Sequence, residues 1–272
     1  MSTSSPELAI YVSSYDGCKD VWDTFFSIFH TYWPDCCYNV YLINNEAEYC
    51  REGVKVIHTG EEINWFSRTI QSLSALHEDY VVFLLEDYFL SKRVSNDEMA
   101  SIVSMMDRDG IFFYRLSLPG TQSLSQSGCQ SKQVELGSNY AISLQPAIWN
   151  RKALLRYLLQ IDGASPWDFE YYFNSHKHEL PSDDSGKYVK GVLYDSRDLL
   201  GYKNGILRGR WIPSTLSYFK KHGIEIEQGD RPSLSFGESL RYSASLQARK
   251  LLPAGTRATI KKALVSLKIK YV

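Results

Sequence analysis

Two acidic clusters stand out for the chemistry they could carry. In Leu84-Leu85-Glu86-Asp87-Tyr88-Phe89, two carboxylates follow directly on the apolar run Tyr80 to Leu85. Charges at the mouth of a buried strand are costly to desolvate, so they should face a crevice and a cation. A divalent ion, Mg or Mn, held by Glu86 and Asp87 and bridging to a diphosphate would supply that charge and neutralise a departing nucleotide. The competing reading has Asp87 capping a turn and Glu86 pairing with Lys92 or Arg93. The second cluster, Pro166-Trp167-Asp168-Phe169-Glu170, sets a carboxylate on each side of Phe169 at a helix start, where Pro is tolerated. A carboxylate there can take the proton from an attacking hydroxyl. Residues two apart on a helix point in different directions, so one reaches the hydroxyl and the other assists the helix terminus. Glu170 is the first choice as base and Asp168 the reserve; a helix end decorated with acids beside a packing Trp167 is the alternative.

Cations and flat side chains surround these acids in the sequence. Trp65 and Arg68 lie one turn apart on a predicted helix, and the planar Arg fork suits a phosphate oxygen. Tyr15 and Asp16 follow the first predicted strand and could hold a nucleobase by stacking and hydrogen bonding, while Asn44 and Asn45 end the second strand in the same way. The stretch Gly201 to Trp211, GYKNGILRGRW, offers Lys203, Arg208 and Arg210 among glycines that let a backbone approach a diphosphate closely. Neither GxxxxGK[ST] nor a GxGxxG after a strand occurs, which disfavours ATP-loop and dinucleotide folds, and GxSxG and HExxH are missing too.

The elements that must position these groups follow from periodicity. Strands are predicted at Leu8–Ser13, Val40–Ile43, Val54–His58, Tyr80–Leu85, Ile111–Leu116, Tyr140–Leu144 and Val189–Tyr194. Helices are predicted from Val21 to Trp33-Pro34, over Ile63–Leu76, Asn96–Met106 and Asn150–Leu159, and from Pro166. Pro119–Gln133 reads as a long loop, and a polar loop carries His176, His178, Asp183 and Asp184. This β-α-β-β-α-β order predicts a doubly wound, mostly parallel α/β sheet with a ligand crevice at the carboxyl ends of its strands. Residues 1–245 would form the catalytic domain and 246–272 a tail, in which Arg249, Lys250, Arg257, Lys261, Lys262, Lys268 and Lys270 alternate with apolar residues in a basic amphipathic pattern.

Composition narrows the class. With 44% hydrophobic and 22% charged residues over a length of 272, the chain can bury a sizeable core. Thirty Lys and Arg against 31 Asp and Glu give no general field for a polyanion, so nucleic acid is not an expected partner. Five cysteines without CxxC spacing indicate neither a disulfide framework nor a zinc site. A polar start and the lack of an apolar run long enough to span a bilayer predict a cytoplasmic location.

Taken as an ordered set, VSSYDG, WPDC, YLINN, NWFSR, FLLEDYF, SLQPAIW, SPWDFE and GYKNGILRGRW resemble bacterial capsule and O-antigen glycosyltransferases of the GT-A superfamily, over Ile10 to Trp211. The resemblance implies a GT-A-like, Rossmann-like fold that moves a sugar from a nucleotide-sugar donor to a lipid-linked saccharide acceptor, with inversion. It implies nucleotide contacts at Tyr15 and Asp16, a donor cation at Arg68, metal-diphosphate binding at Glu86 and Asp87, and a base at Glu170 or Asp168. The acidic motif departs from the usual DxD, being ED followed by Tyr88, so the Lys203–Arg210 loop is an alternative source of positive charge. The basic tail fits peripheral contact with the inner face of an anionic membrane. Alternatives are a sugar-phosphate nucleotidyltransferase, which would show a Gly-rich loop where only Gly17 stands, and a non-catalytic glycan-binding module.

Overall fold

Strands covered on both faces have no polar side to show, and two runs of this chain are of that kind. Leu8–Ser13 (β1) is buried along its whole length, and so are the first five residues of Tyr80–Leu85 (β4). In the computed structural model, which describes residues 5–61, 64–117, 131–133, 142–175, 192–195 and 197–251, these two strands pair in parallel at the middle of an eight-stranded sheet. Asn39–Asn44 (β2) lies on the other side of β1, and Val54–His58 (β3) lies beyond it at the edge, both parallel. The edge strand β3 is half-buried, as its alternation of Val and Ile with Lys and His requires.

The predicted mixed α/β architecture is the observed one. The sheet order is β3-β2-β1-β4-β8-β6-β9-β7 when Tyr88–Phe89 is labelled β5, Phe113–Arg115 β6, Ser131–Gln133 β7, Ala147–Asn150 β8 and Val192–Asp195 β9. The β8 strand runs antiparallel between β4 and β6, while β9 is parallel to β6. Helices Lys19–Tyr32 (α1), Trp65–Ala75 (α2), Asn96–Asp109 (α3), Arg151–Gln160 (α4) and Pro166–Ser175 (α5) accompany the sheet. Three of them start at side-chain caps, Asn64 on Ser67 N–H, Ser95 on Glu98 N–H and Asn150 on Ala153 N–H.

Two predicted elements differ. The strand expected over Tyr140–Leu144 is irregular from Ile142 onward and begins only at Ala147. Pro146 has no N–H for a ladder, and the Leu144 N–H donates to a side chain instead. The end of the expected loop Pro119–Gln133 is strand β7, a polar edge segment without a hydrophobic signal. Residues 118–130 of that loop, the segment with His176, His178, Asp183 and Asp184, and the tail beyond Leu251 lie outside the described residues.

The chain divides into two compact units, one holding residues 1–117 and 127–203, the other 118–126 and 204–272. The first carries the whole sheet. Its core is an aromatic cluster in which Phe169, fully buried, meets Trp65 at 5.8 Å, Trp149 at 5.8 Å and Phe173 at 4.9 Å between ring centroids. A buried ion pair sits at the end of β9, where Asp195, 0% exposed, takes Arg197 and the Tyr114 hydroxyl. Segment Lys203–Asn204 (β10) leads into the second unit, which contains the hairpin Ile206–Leu207 (β11) and Arg210–Trp211 (β12) and helices Pro213–Lys221 (α6) and Phe236–Leu251 (α7). No helix among the described residues is long and apolar enough to cross a membrane.

Candidate active site

Parallel pairing brings the predicted site residues of three strands to one end of the sheet. Ser13 of β1 stands opposite Ile43 of β2 and Leu85 of β4, so the segments after them leave the sheet side by side. These segments carry Tyr15 and Asp16, Asn44 and Asn45, and Glu86 and Asp87.

Asp16 uses both carboxylate oxygens on backbone. It accepts from the N–H groups of Asn45 (3.0 Å), Glu46 (3.1 Å) and Ala47 (3.0 Å), and its own N–H donates to Asn45 Oδ1. Asn44 is fully buried and donates to the Ala47 carbonyl at 2.6 Å. Both residues therefore shape the turn after β2. Tyr15 is 42% exposed, and the Arg68 guanidinium carbon lies 5.9 Å from its ring centroid. Arg68 is buried on α2, and among the described residues its Nε has no hydrogen-bond partner and no carboxylate pairs with it. A buried cation in that situation is suited to an anionic ligand. Trp65 is buried against Phe83 and Phe169, so its ring belongs to the core beneath the site.

Glu86 and Asp87 occupy the turn between β4 and β5, both half-buried. The cations expected to neutralise Glu86 hold other carboxylates, Lys92 on Asp198 and Arg93 on Asp35. Immediately after them comes Tyr88, buried, its ring 4.8 Å from that of Tyr202. Burial drives the Tyr88 phenol well above its ordinary range, and the neighbouring Tyr202 phenol and the carboxylates of Asp87, Glu170 and Glu86 push it further. Acids from two distant parts of the chain thus act on one side chain.

The two acids of the Pro166–Glu170 motif separate cleanly. Asp168 Oδ2 accepts from Ala164 N–H (3.0 Å), Ser165 N–H (2.8 Å) and the Ser165 hydroxyl (2.8 Å), an arrangement that closes the start of α5. Those donors hold the Asp168 carboxyl below its usual range. The loop before it is pressed onto α2: Trp65 N–H donates to the Ala164 carbonyl, and a Cβ on Gly163 would come within 2.6 Å of Phe66. Phe169 anchors the helix in the aromatic core, whereas Trp167, expected as the packing residue, is 77% exposed. Glu170 is turned inward, accepts from Leu144 N–H at 3.1 Å, and has its carboxyl raised by burial against the opposing pull of that N–H and of Arg115. Asp168→Ala is accordingly expected to lower the melting temperature while changing turnover by no more than a few-fold, checked by thermal denaturation beside a rate assay.

The basic loop is divided between the units. Lys203 closes the first, while Arg208 and Gly209, with φ of 53° and 73°, form the two-residue turn of the β11–β12 hairpin in the second. Such a turn needs positive φ at both positions, which explains Gly209 and makes Arg208 an unusual occupant. Arg210 grips both carboxylate oxygens of Glu238 at 2.9 and 3.0 Å, within the second unit.

Sequence reasoning passed over Arg115, Ser143, Gln145 and Tyr202 as site residues. Arg115 is 6% exposed and donates to Ser143 Oγ at 2.6 Å. A charged residue inside the run Ile111–Leu116 was the available signal. Among the described residues no group of three or more His, Cys, Asp or Glu is placed to hold a metal ion. Glu86 and Asp87 fit the other mode of Mg or Mn binding, in which one or two carboxylates share the ion with substrate phosphates and water.

The fold is thus a mixed α/β sheet with acids and aromatics after its parallel strands and a buried cation on α2. No protein-family model and no curated protein matches the chain. Among solved structures it is similar to S. aureus TarS 1–349 in complex with UDP-GlcNAc, with 14% identity, 92% of this chain and 69% of that one covered, and a TM-score of 0.47. It is also similar to the galactosyltransferase LgtC in complex with donor and acceptor sugar analogs (11% identity, 92% and 99% covered, TM-score 0.41). A third match is CMP:2-keto-3-deoxy-manno-octonic acid synthetase complexed with CTP (10% identity, 80% and 98% covered, TM-score 0.41). The chain spans 60% of another TarS 1–349 chain and 43% of the longer TarS.

Proposed function

We propose that this protein is a glycosyltransferase that moves a sugar from a nucleotide-sugar donor to a saccharide acceptor by direct displacement. The observation that carries the reading is the chain of contacts that links the two acidic segments: Tyr88, directly after Glu86 and Asp87, has its ring 4.8 Å from that of Tyr202, whose hydroxyl donates to Gln145, next to the Leu144 N–H that donates to Glu170, and the reaction needs acids for a departing diphosphate and for an incoming hydroxyl in one place. Glu170 is the general base: its half-buried carboxyl is raised above its ordinary range by desolvation, which favours proton acceptance, and is aimed by the Leu144 N–H. Arg68 binds donor phosphate, and Tyr15 stacks on the nucleobase. Asp16, Asn44 and Asp168 shape backbone around the site, and Trp65 supports it from the core. A Mg or Mn ion held by Asp87 and Glu86 would supply charge neutralisation at the diphosphate. Lys203, the cation that closes the first unit, is a second source of that charge. An acceptor carried on a lipid diphosphate, in surface polysaccharide synthesis at the inner face of the membrane, agrees with the basic residues of the tail.

The test is release of nucleotide from a panel of nucleotide sugars, with acceptor saccharides, in the presence and absence of a chelator. One donor class should be consumed, with activity lost on chelation and restored by Mg or Mn. Chelator-resistant turnover would transfer diphosphate neutralisation to Lys203. Donor or glycan binding without any turnover would leave a glycan-binding module and end the transferase reading.

A further inference from the structure

Ser143, Leu144 and Gln145 form an irregular strap before β8, and each of the three holds a different side chain of the first unit. Ser143 Oγ accepts from Arg115 Nη2 at 2.6 Å, Leu144 N–H donates to Glu170 Oε1 at 3.1 Å, and Gln145 Oε1 accepts from the Tyr202 hydroxyl. The strap is tied to β6 a second time, because the carbonyl of Pro146 accepts from Leu116 N–H at 2.9 Å, one residue after Arg115. Ser143 and Leu144 are 1% and 4% exposed, so water does not compete for the bonds these two residues make. A buried Arg needs a reason to be there, since an apolar residue of similar size would be cheaper at that position in the sheet.

We propose, resting on the transferase reading above, that Arg115 is the positioning residue of the candidate base: through the strap Ser143–Gln145 it holds the Glu170 carboxylate aimed for proton abstraction. Among the described residues, the groups that face Glu170 are Arg115 from β6, the Leu144 N–H from the strap and Tyr88 from β5. Arg115 is the cation among them. Burial favours the protonated carboxyl, whereas the Leu144 N–H and the charge of Arg115 favour the ionised one. The fork of Arg is also what allows one group to bond Ser143 and face Glu170 together, which the single ammonium of Lys does less well.

The experiment is a pH titration of the Glu170 carboxyl in protein carrying ¹³C-carboxyl glutamate, its resonance assigned by its loss in Glu170→Gln, beside the pH–rate profile. Arg115→Met should raise the titration midpoint by about one unit or more, and move the acid limb of the rate profile up with it. Arg115→Lys and Ser143→Ala should shift both in the same direction by less. Should Arg115→Met fail to fold, these two variants carry the measurement. A residue that only fills space would lower stability or rate at every pH without moving the midpoint. An unmoved midpoint, with turnover that still depends on Glu170, overturns this proposal alone. A moved midpoint in a protein that consumes no donor overturns the transferase reading instead.

Discussion

Glu170→Gln is expected to lower sugar transfer by about 10²- to 10⁴-fold while leaving the donor dissociation constant within a few-fold of its original value. The substitution keeps the oxygen that accepts from Leu144 N–H, so the strap and α5 have no reason to move. What disappears is the group that takes the acceptor proton. The same replacement should not destabilise the protein near neutral pH, and the sign follows from linkage. Burial raises the Glu170 carboxyl, so between its unfolded and folded pKa values the folded state binds more protons than the unfolded one. Stability therefore falls as pH rises through that window, and the cost persists above it while Glu170 is ionised. Glutamine abolishes this cost. Melting temperatures of the two proteins should converge at acid pH and separate in favour of the variant above the window, while the rate profile of the original enzyme rises with pH through the raised carboxyl. Measured donor affinity, single-turnover rate and melting curve together decide the matter: equal turnover in the variant would remove Glu170 from the chemistry.

How far this site could be read in advance depends on where its partners lie along the chain. The runs LAIYVS and YVVFLL announce buried central strands because every residue is apolar, and the end they expose is then set by parallel pairing. For that reason Glu86 and Asp87 were legible as residues at the rim of the sheet. Short antiparallel strands such as β8 carried no comparable signal. Ala147–Asn150 is four residues long and follows directly on Pro146, and its place between β4 and β6 is a long-range event. Roles within the acidic clusters were harder still. Asp16, Asp168 and Glu170 all stand near chain turns, and the N–H groups within reach among the described residues separate them: two oxygens of Asp16 meet three backbone donors, Asp168 meets two with a hydroxyl, and Glu170 meets the Leu144 N–H. Phe169 does the sorting, because its burial in the aromatic core fixes how α5 is rotated. Arg115 was visible as a charge in an apolar run, but its partners come 28 residues later for Ser143 and from α5 beyond.

Arg68→Met should weaken donor binding by about 10- to 100-fold and, in the absence of donor, make the protein more stable rather than less. The two effects share one cause. Arg68 is 8% exposed, among the described residues its Nε has no hydrogen-bond partner, and the Tyr15 ring lies 5.9 Å from its guanidinium carbon. A cation over an aromatic face is worth about 0.5–2 kcal/mol, against a desolvation cost of roughly several kcal/mol for the buried ion, so the cost prevails. Methionine fills a similar volume on the inner side of α2 and removes that cost, for a gain of about 1 kcal/mol or more. Donor phosphate would supply the missing anion, and with it the stabilisation that the free protein lacks. Melting curves with and without nucleotide sugar measure both halves at once. The original protein should show the larger rise on adding donor and the lower starting point, and the variant the reverse. If Arg68→Met instead lowers the starting melting temperature and leaves the donor-induced rise intact, Arg68 is a structural side chain and the phosphate must be held elsewhere, with Lys203 the next cation of the first unit to replace.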